Sequence, residues 1–327
     1  MNFLTIFYFI LGFVFIIQGA DWFVKAAVSI SEKFGIPKII IGSTIVSFAT
    51  TAPELSVSAT ATYVGHTGIA VGNVLGSVIY NIDLIFGAII IIKSVPINIE
   101  SFLNRALFML VSGATVVVLS IDGKLTWHEG ILLILIFIGF LYYNYRLQAS
   151  IFKKSKKLNS NTKERQDIFK LIKTRFHEIS KDILLFIVGA GGVIIGSRLL
   201  VDSGVKIAQW LGIPELIIGL TLFALGTSLP ELITAITATM KGHQEISLGN
   251  ILGANTMNLT FVLGFCSFIN PLEINAQLFE YDFIVMIGLM ILLLIFGTTR
   301  NLFSKKEGLA LLGIYIAYVI GLFVLYG

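Results

Sequence analysis

Ten apolar runs, each long enough to cross a lipid bilayer, constrain this chain more than any other feature. They lie near residues 3–31, 38–63, 69–92, 104–121, 129–147, 182–210, 215–240, 246–269, 282–298 and 308–326. About 20 apolar residues of helix cross the hydrocarbon core, and buried helices of water-soluble proteins rarely run so far without a polar face. Only 13% of the residues are charged, about half the fraction in an ordinary soluble domain. Lipid is therefore the solvent for most of the surface, and the expected fold class is an all-α polytopic membrane protein with ten transmembrane helices. The first run follows Met1 and Asn2 with no basic leader and reaches about Ala27 without a clear small-residue cleavage site, so it reads as a retained span and not as a signal peptide.

Between the fifth and sixth runs lies a polar, lysine-rich stretch that includes KKSKKLNSNTKERQ. Composition alone marks it as solvated. It divides the chain into a first five-helix unit (1–147), a basic connector (148–181) and a second five-helix unit (182–327). Ten of the 23 basic residues lie between Lys153 and Lys181, so the net charge of +4 is a topology signal and no nucleic-acid partner is expected. Lys and Arg gather in cytoplasmic loops. That rule places the connector in the cytoplasm and both termini outside, in a multi-pass protein of the cell membrane surrounded by lipid; the oligomeric state is left open. Lys33 and Lys38, Lys93 and Arg105, and Arg300, Lys305 and Lys306 then all fall inside, whereas Glu273, Glu280 and Asp282 fall outside.

The two units are copies. Residues 19–87 match 196–264 without a gap at an offset of 177 positions, with roughly two positions in five identical. The identities are mostly Gly, Pro, Thr, Asn and Glu, which apolar composition cannot produce. Gly35-Ile36-Pro37 returns as Gly212-Ile213-Pro214, Gly65-His66 as Gly242-His243, and Gly72-Asn73 as Gly249-Asn250. Five spans per copy is an odd number, so the second copy enters the membrane from the opposite side. Inverted repeats of this kind place ion sites near the midplane, at the repeat interface.

GSTIVSFATTAPEL at residues 42–55 recurs as GLTLFALGTSLPEL at 219–232. Glu54 and Glu231 each sit well inside an apolar run, where an ionisable residue costs at least about 2.5 kcal/mol and is by default functional. Pro53 and Pro230 have no N–H to give, so they loosen the carbonyls of Ala49 and Thr50, and of Gly226 and Thr227. Loosened carbonyls are tolerated in a membrane only where they line a cavity or meet an ion. Helical spacing puts Ser47 and Thr50 on the Glu54 face, and Ala224 and Thr227 on the Glu231 face, with Ser228 beside it.

Two carboxylates among hydroxyl and carbonyl oxygens suit a hard cation such as Ca2+, whose charge two Glu would balance. Zn2+ and Cu2+ favour His and Cys, absent from these segments, and Mg2+ sheds water reluctantly. A second stripe, Asn73, Ser77 and Asn81, is mirrored by Asn250, Ala254 and Asn258. Gly72, Gly76, Gly249 and Gly253 beside the stripes permit close helix approach.

The paired Pro-Glu motifs and paired Gly-Asn-x-x-Gly segments resemble the two α-repeats of the cation/Ca2+ exchanger superfamily, in particular the prokaryotic Na+/Ca2+ exchangers, over nearly the whole chain. The resemblance implies ten helices, four central ion sites, no cofactor, Ca2+ and Na+ as transported ions, and alternating access by sliding of the first and sixth helices. It further implies that Glu54 and Glu231, with the Thr50 and Thr227 carbonyls, hold Ca2+. Ser47, Thr51 and Ser77 would build an inner Na+ site, the Ala224 carbonyl and Ser228 an outer one, and Asn81 and Asn258 would flank the middle. Two positions depart from that pattern. Asn258 stands where an Asp is expected, which argues against K+ cotransport. Ala254 stands where a Ser is expected, which leaves H+ as an alternative coupling ion.

Other residues carry weaker signals. Asp83, whose repeat counterpart is Thr260, reads either as a coupling residue or as a structural polar group. Asp21 with Lys25, and Arg198 with Asp202, read as i,i+4 ion pairs; His66 and His243 read as loop or capping residues. The connector reads as an inside anchor, and Cys266, the single cysteine, as core filler. An intramembrane hydrolase would need a nucleophile and base or His ligands in the motif segments, and no His is there. A passive channel would show uncoupled flux.

Overall fold

The computed structural model describes residues 3–33, 48, 50–97, 99–158, 176–240, 244–300 and 302–327. Helix α1 is Phe3–Lys33, α2 is Ala52–Tyr63, and α3 runs from Thr67 to Ile92 through a π-helical turn at Asn81–Phe86. Helices α4 (Ile99–Leu119), α5 (Trp127–Leu158) and α6 (Phe176–Leu211) follow. Next come α7 (Glu215–Thr227, with a π-helical turn at Gly219–Phe223) and α8 (Leu229–Met240). Helix α9 is Gln244–Met257, continued through a π-helical turn at Asn258–Val262 into Leu263–Ile269. Helix α10 opens with the π-helical turn Leu278–Asp282 and continues as Phe283–Arg300, and α11 is Lys305–Tyr326.

Among the described residues eight helices are long and apolar enough to cross a membrane, and α7 with α8, bent by 41° between them, makes nine. The run expected at 38–63 is described only in part, with α2 as its last portion. The fold is mostly helical, as expected, with short extended links between spans. Four two-residue strands, β1 (Val95–Pro96), β2 (Lys124–Leu125), β3 (Leu272–Glu273) and β4 (Leu302–Phe303), pair antiparallel as β1 with β4 and β2 with β3. Short extended loops between spans thereby satisfy backbone groups that would otherwise stay unpaired near the membrane. Each pair joins a loop of the first half to a loop of the second. The residues around Lys93 and Lys305 therefore share one face of the protein, and those around Lys124 and Glu273 share another.

Helices α3 and α9 form the centre: 78% and 83% of their apolar windows are buried, against 22–39% in the other long spans. Glycines set the approach of α3 to α7, since a Cβ on Gly72 would lie 2.5 Å from the Leu216 carbonyl oxygen. The same is true where α1 crosses α6 antiparallel. A Cβ on Gly19 would stand 2.7 Å from the Gly189 oxygen, and one on Gly12 2.9 Å from the Gly196 oxygen. The ion pairs expected on these two helices form locally, Lys25 with Asp21 at 2.6 Å and Arg198 with Asp202 at 3.0 Å. His66 stands at the N-cap position of α3 without a side-chain capping bond; its Nδ1 instead meets Glu215 Oε2 at 2.9 Å, tying the α2–α3 turn to the start of α7. His243 lies outside the described residues. Cys266 is fully buried and unbridged.

Candidate cation site

Both Pro-Glu motifs sit at helix starts. Thr51 precedes α2 with Pro53 in its first turn, and the Thr51 carbonyl accepts from Leu55 N–H at 3.0 Å. A proline in the first turn forfeits no hydrogen bond, because those N–H groups have no helical acceptor. Ser228 separates α7 from α8 in the same way, with Pro230 in the first turn of α8. The sequence thus breaks each span just ahead of its acid, and the acids Glu54 and Glu231 are buried to 0% and 1% exposure.

Hydrogen bonds cross between the two halves at this point. Ser228 Oγ donates to Glu54 Oε1 at 3.0 Å. Asn73 is a clamp: its Nδ2 donates to the Glu54 carbonyl at 3.3 Å and to Ser58 Oγ at 3.0 Å, and its Oδ1 accepts from Thr227 Oγ1 at 3.0 Å. The single Thr227 hydroxyl proton is shared between Asn73 Oδ1 and the Phe223 carbonyl, both at 3.0 Å, and the hydroxyl oxygen keeps its lone pairs. The α2–α3 and α8–α9 contacts also mirror each other, with Ser58 Oγ on the Ala70 carbonyl at 3.3 Å and Ser247 Oγ on the Ala235 carbonyl at 2.8 Å.

What remains unpaired defines the chemistry. Glu54 Oε2, both carboxylate oxygens of Glu231, Ser77 Oγ, Asn81 Oδ1 and both amide atoms of Asn258 are buried without a hydrogen-bond partner. Buried polar groups are almost always satisfied, so exceptions point to a missing ion or a functional role. These atoms are all oxygens apart from the Asn258 nitrogen, and two of the groups are carboxylates, which fits a hard cation as cargo. Among the described residues no three His, Cys, Asp or Glu gather into a metal cluster, so a softer metal has no ligand set there.

The π-helical turns begin at Asn81 and at Asn258, the two stripe residues nearest the site. Such turns are rare and recur at functional positions. Thr50 and Thr51 are buried at 3% and 2% exposure. Ser47 lies outside the described residues. The Ala224 carbonyl already accepts from Ser228 N–H at 3.1 Å, so only its second lone pair is left for an ion. Sequence reading missed Asn255, whose Oδ1 accepts from Asn81 Nδ2 at 2.8 Å. Its counterpart at the repeat offset is Val78, so the comparison of copies carried no signal for it. Asp83 is fully buried with both oxygens unpartnered, on a turn that packs against α11.

A multi-pass helical protein whose two halves meet around buried, unpartnered carboxylates belongs to the class that moves small cations through membranes. The family model described as sodium/calcium exchanger protein matches residues 4–146 and 181–324. The chain belongs to that family. It is 31% identical to the sodium/calcium exchanger MaX1 of Methanosarcina acetivorans, with 99% of each chain covered. It is 35% identical to the putative antiporter CaxA of Alkalimonas amylolytica, covering 94% of this chain and 95% of the other. A structure of the sodium-calcium exchanger NCX_Mj, soaked with Na+ and Sr2+, superposes with a TM-score of 0.64 at 29% identity over 98% of this chain and 99% of that one.

Proposed function

We propose that this chain is a secondary active antiporter that exchanges Ca2+ for Na+ by alternating access. The observation that carries the reading is the pair Glu54 and Glu231, fully buried at the junction of the halves with three of four carboxylate oxygens unpartnered. Glu54, Glu231 and the Thr50 and Thr227 carbonyls hold Ca2+. Ser47, Thr51 and Ser77 on one side, and Ala224 and Ser228 on the other, hold Na+, with Asn81 and Asn258 flanking. Ca2+ and Na+ compete for the two carboxylates, and competition couples the fluxes.

The architecture that goes with this is ten helices in two inverted five-helix repeats, 1–147 and 182–327, joined by a cytoplasmic connector, with both termini outside. The matched motifs, the mirrored serine contacts and the strand pairs between halves support it. When more than two Na+ move per Ca2+, each cycle moves net charge and gains about 2.3 kcal/mol per charge per 100 mV, which drives Ca2+ out of a negative cell. The relatives named as sodium/calcium exchangers support the Na+ assignment.

A proton-coupled cycle is the second reading. The observation on its side is the methyl of Ala254, which offers no oxygen at the position where the first copy has Ser77. Uptake of 45Ca2+ into proteoliposomes, driven by an outward Na+ gradient and compared with a pH gradient of equal size, separates the two. Na+-driven uptake is expected; uptake indifferent to Na+ and driven by the pH gradient overturns the Na+ assignment.

A further inference from the structure

We propose that Asn255 is a positioning residue for the cation site: it holds the Asn81 amide so that its oxygen, and not its NH2, is left for the transported ion. This rests on the exchange reading and adds to it a residue that no motif identifies.

Amide oxygen and nitrogen are told apart by their partners. Asn255 Nδ2 reaches the Val78 carbonyl at 3.4 Å and Met109 Sδ at 3.6 Å. Both are acceptors only. Asn255 must therefore turn its NH2 toward them and its oxygen toward Asn81, which fixes the neighbour in turn. Asn81 Nδ2 donates to Asn255 Oδ1 at 2.8 Å, and Asn81 Oδ1 is left buried with no partner. A backbone carbonyl of α3 thus sets the direction of two successive side-chain amides, all of them fully buried.

The second copy has no such device. Asn258 has neither amide atom partnered, so nothing among the described residues selects which end meets a cation. An amide aimed in advance spares the ion the work of turning it, and an NH2 aimed at a cation repels it. Groups that orient a ligand in this way typically carry about 10- to 100-fold in metal affinity.

The test is Asn255→Val, which installs the residue of the other copy, assayed by 45Ca2+ uptake in proteoliposomes. The expected result is a KM for Ca2+ raised about 10- to 100-fold with kcat unchanged. In an Asn81→Asp background both oxygens of the side chain are acceptors and no orientation is needed, so Asn255→Val should then leave KM where Asn81→Asp alone puts it. A KM unmoved by Asn255→Val, or raised equally in both backgrounds, overturns the assignment. Asn255→Ser, whose hydroxyl donates as readily as it accepts and so sets no direction, reads the same rise should the valine variant not assemble. Wild-type uptake and its loss in Glu54→Gln monitor the exchange reading separately. Should wild type take up no Ca2+, that reading fails, and the same cycle is scored on equilibrium 22Na+ binding to the purified protein.

Discussion

Glu231→Gln separates the cost of folding this site from its use. Both Glu231 oxygens are buried and neither makes a hydrogen bond, so the amide forfeits no contact that the carboxylate had. Burying a neutral amide is cheaper than burying an ion, and the apo variant should melt at or above the wild-type temperature. Binding should move the other way. At a Ca2+–oxygen distance of about 2.4 Å and an effective dielectric of about 20, one carboxylate attracts the ion by about 14 kcal/mol before desolvation is subtracted. Even a tenth of that surviving as net binding is a factor of about 10 in affinity. Wild type at 100 times its Kd should gain about 2.7 kcal/mol of stability from Ca2+, and a variant weakened about tenfold about 1.4 kcal/mol at the same concentration. The measurement is a thermal melt in detergent with and without Ca2+, alongside 45Ca2+ uptake. A variant that melts like wild type yet keeps both the Ca2+ shift and full uptake refutes the reasoning, because the carboxylate would then be neither ligand nor coupling charge.

Asn73→Leu should act on stability first: it removes three hydrogen bonds, to Glu54, Ser58 and Thr227, worth about 1 kcal/mol each, and a melting temperature unchanged in detergent would show that the clamp holds nothing. Gly189→Ala puts a Cβ 2.6 Å from the Phe23 backbone nitrogen and 2.7 Å from the Gly19 oxygen; overpacking of this kind costs about 1–3 kcal/mol, read as a lower melting temperature, and wild-type stability would mean that α1 and α6 do not touch there. Because Cys266 is the single cysteine and fully buried, single-cysteine labelling of Cys266→Ala protein with an impermeant reagent is free of background. Lys93→Cys and Lys305→Cys should label from one side of the membrane, and Lys124→Cys and Glu273→Cys from the other; labelling of Lys93→Cys and Lys305→Cys from opposite sides would contradict the strand pairing.

Most of the architecture was legible because lipid leaves a chain few options. A helix in hydrocarbon must be long and apolar, and the run lengths alone placed the eight long helices that the structure describes, or nine spans with the bent pair α7–α8 counted as one. The acids were legible for the related reason that a carboxylate there is too costly to be incidental. Asn73 was read only as one member of a stripe, since spacing says which residues share a face but not which are spent on hydrogen bonds. The structure assigns its whole amide to holding α2, α3 and α7 together. The strands were not legible at all: two residues of extended chain have no periodicity, and their partners lie in the other half of the sequence. Asn255 was hidden by the method that found everything around it, because comparison of the copies rewards residues present in both.

A duplicated protein comes to use its two halves differently when equivalent positions acquire different neighbours. Glu54 and Glu231 are equivalent by position but not by surroundings: Glu54 accepts from Ser228 at 3.0 Å, whereas Glu231 has no partner for either oxygen. The amides differ in the same sense, with Asn81 held by Asn255 and Asn258 held by nothing. The methyl of Ala254, where the first copy has the Ser77 hydroxyl, leaves the second half one oxygen fewer. On the exchange reading, one Glu54 oxygen and the Asn81 amide are therefore oriented before an ion arrives, whereas Glu231 and Asn258 are free to adjust to it. An exchanger has to accept a divalent ion and monovalent ions at overlapping positions, and those ions ask for different coordination numbers and geometries. A held carboxylate and amide to define the position, beside an unheld carboxylate and amide to accommodate the occupant, meets that requirement.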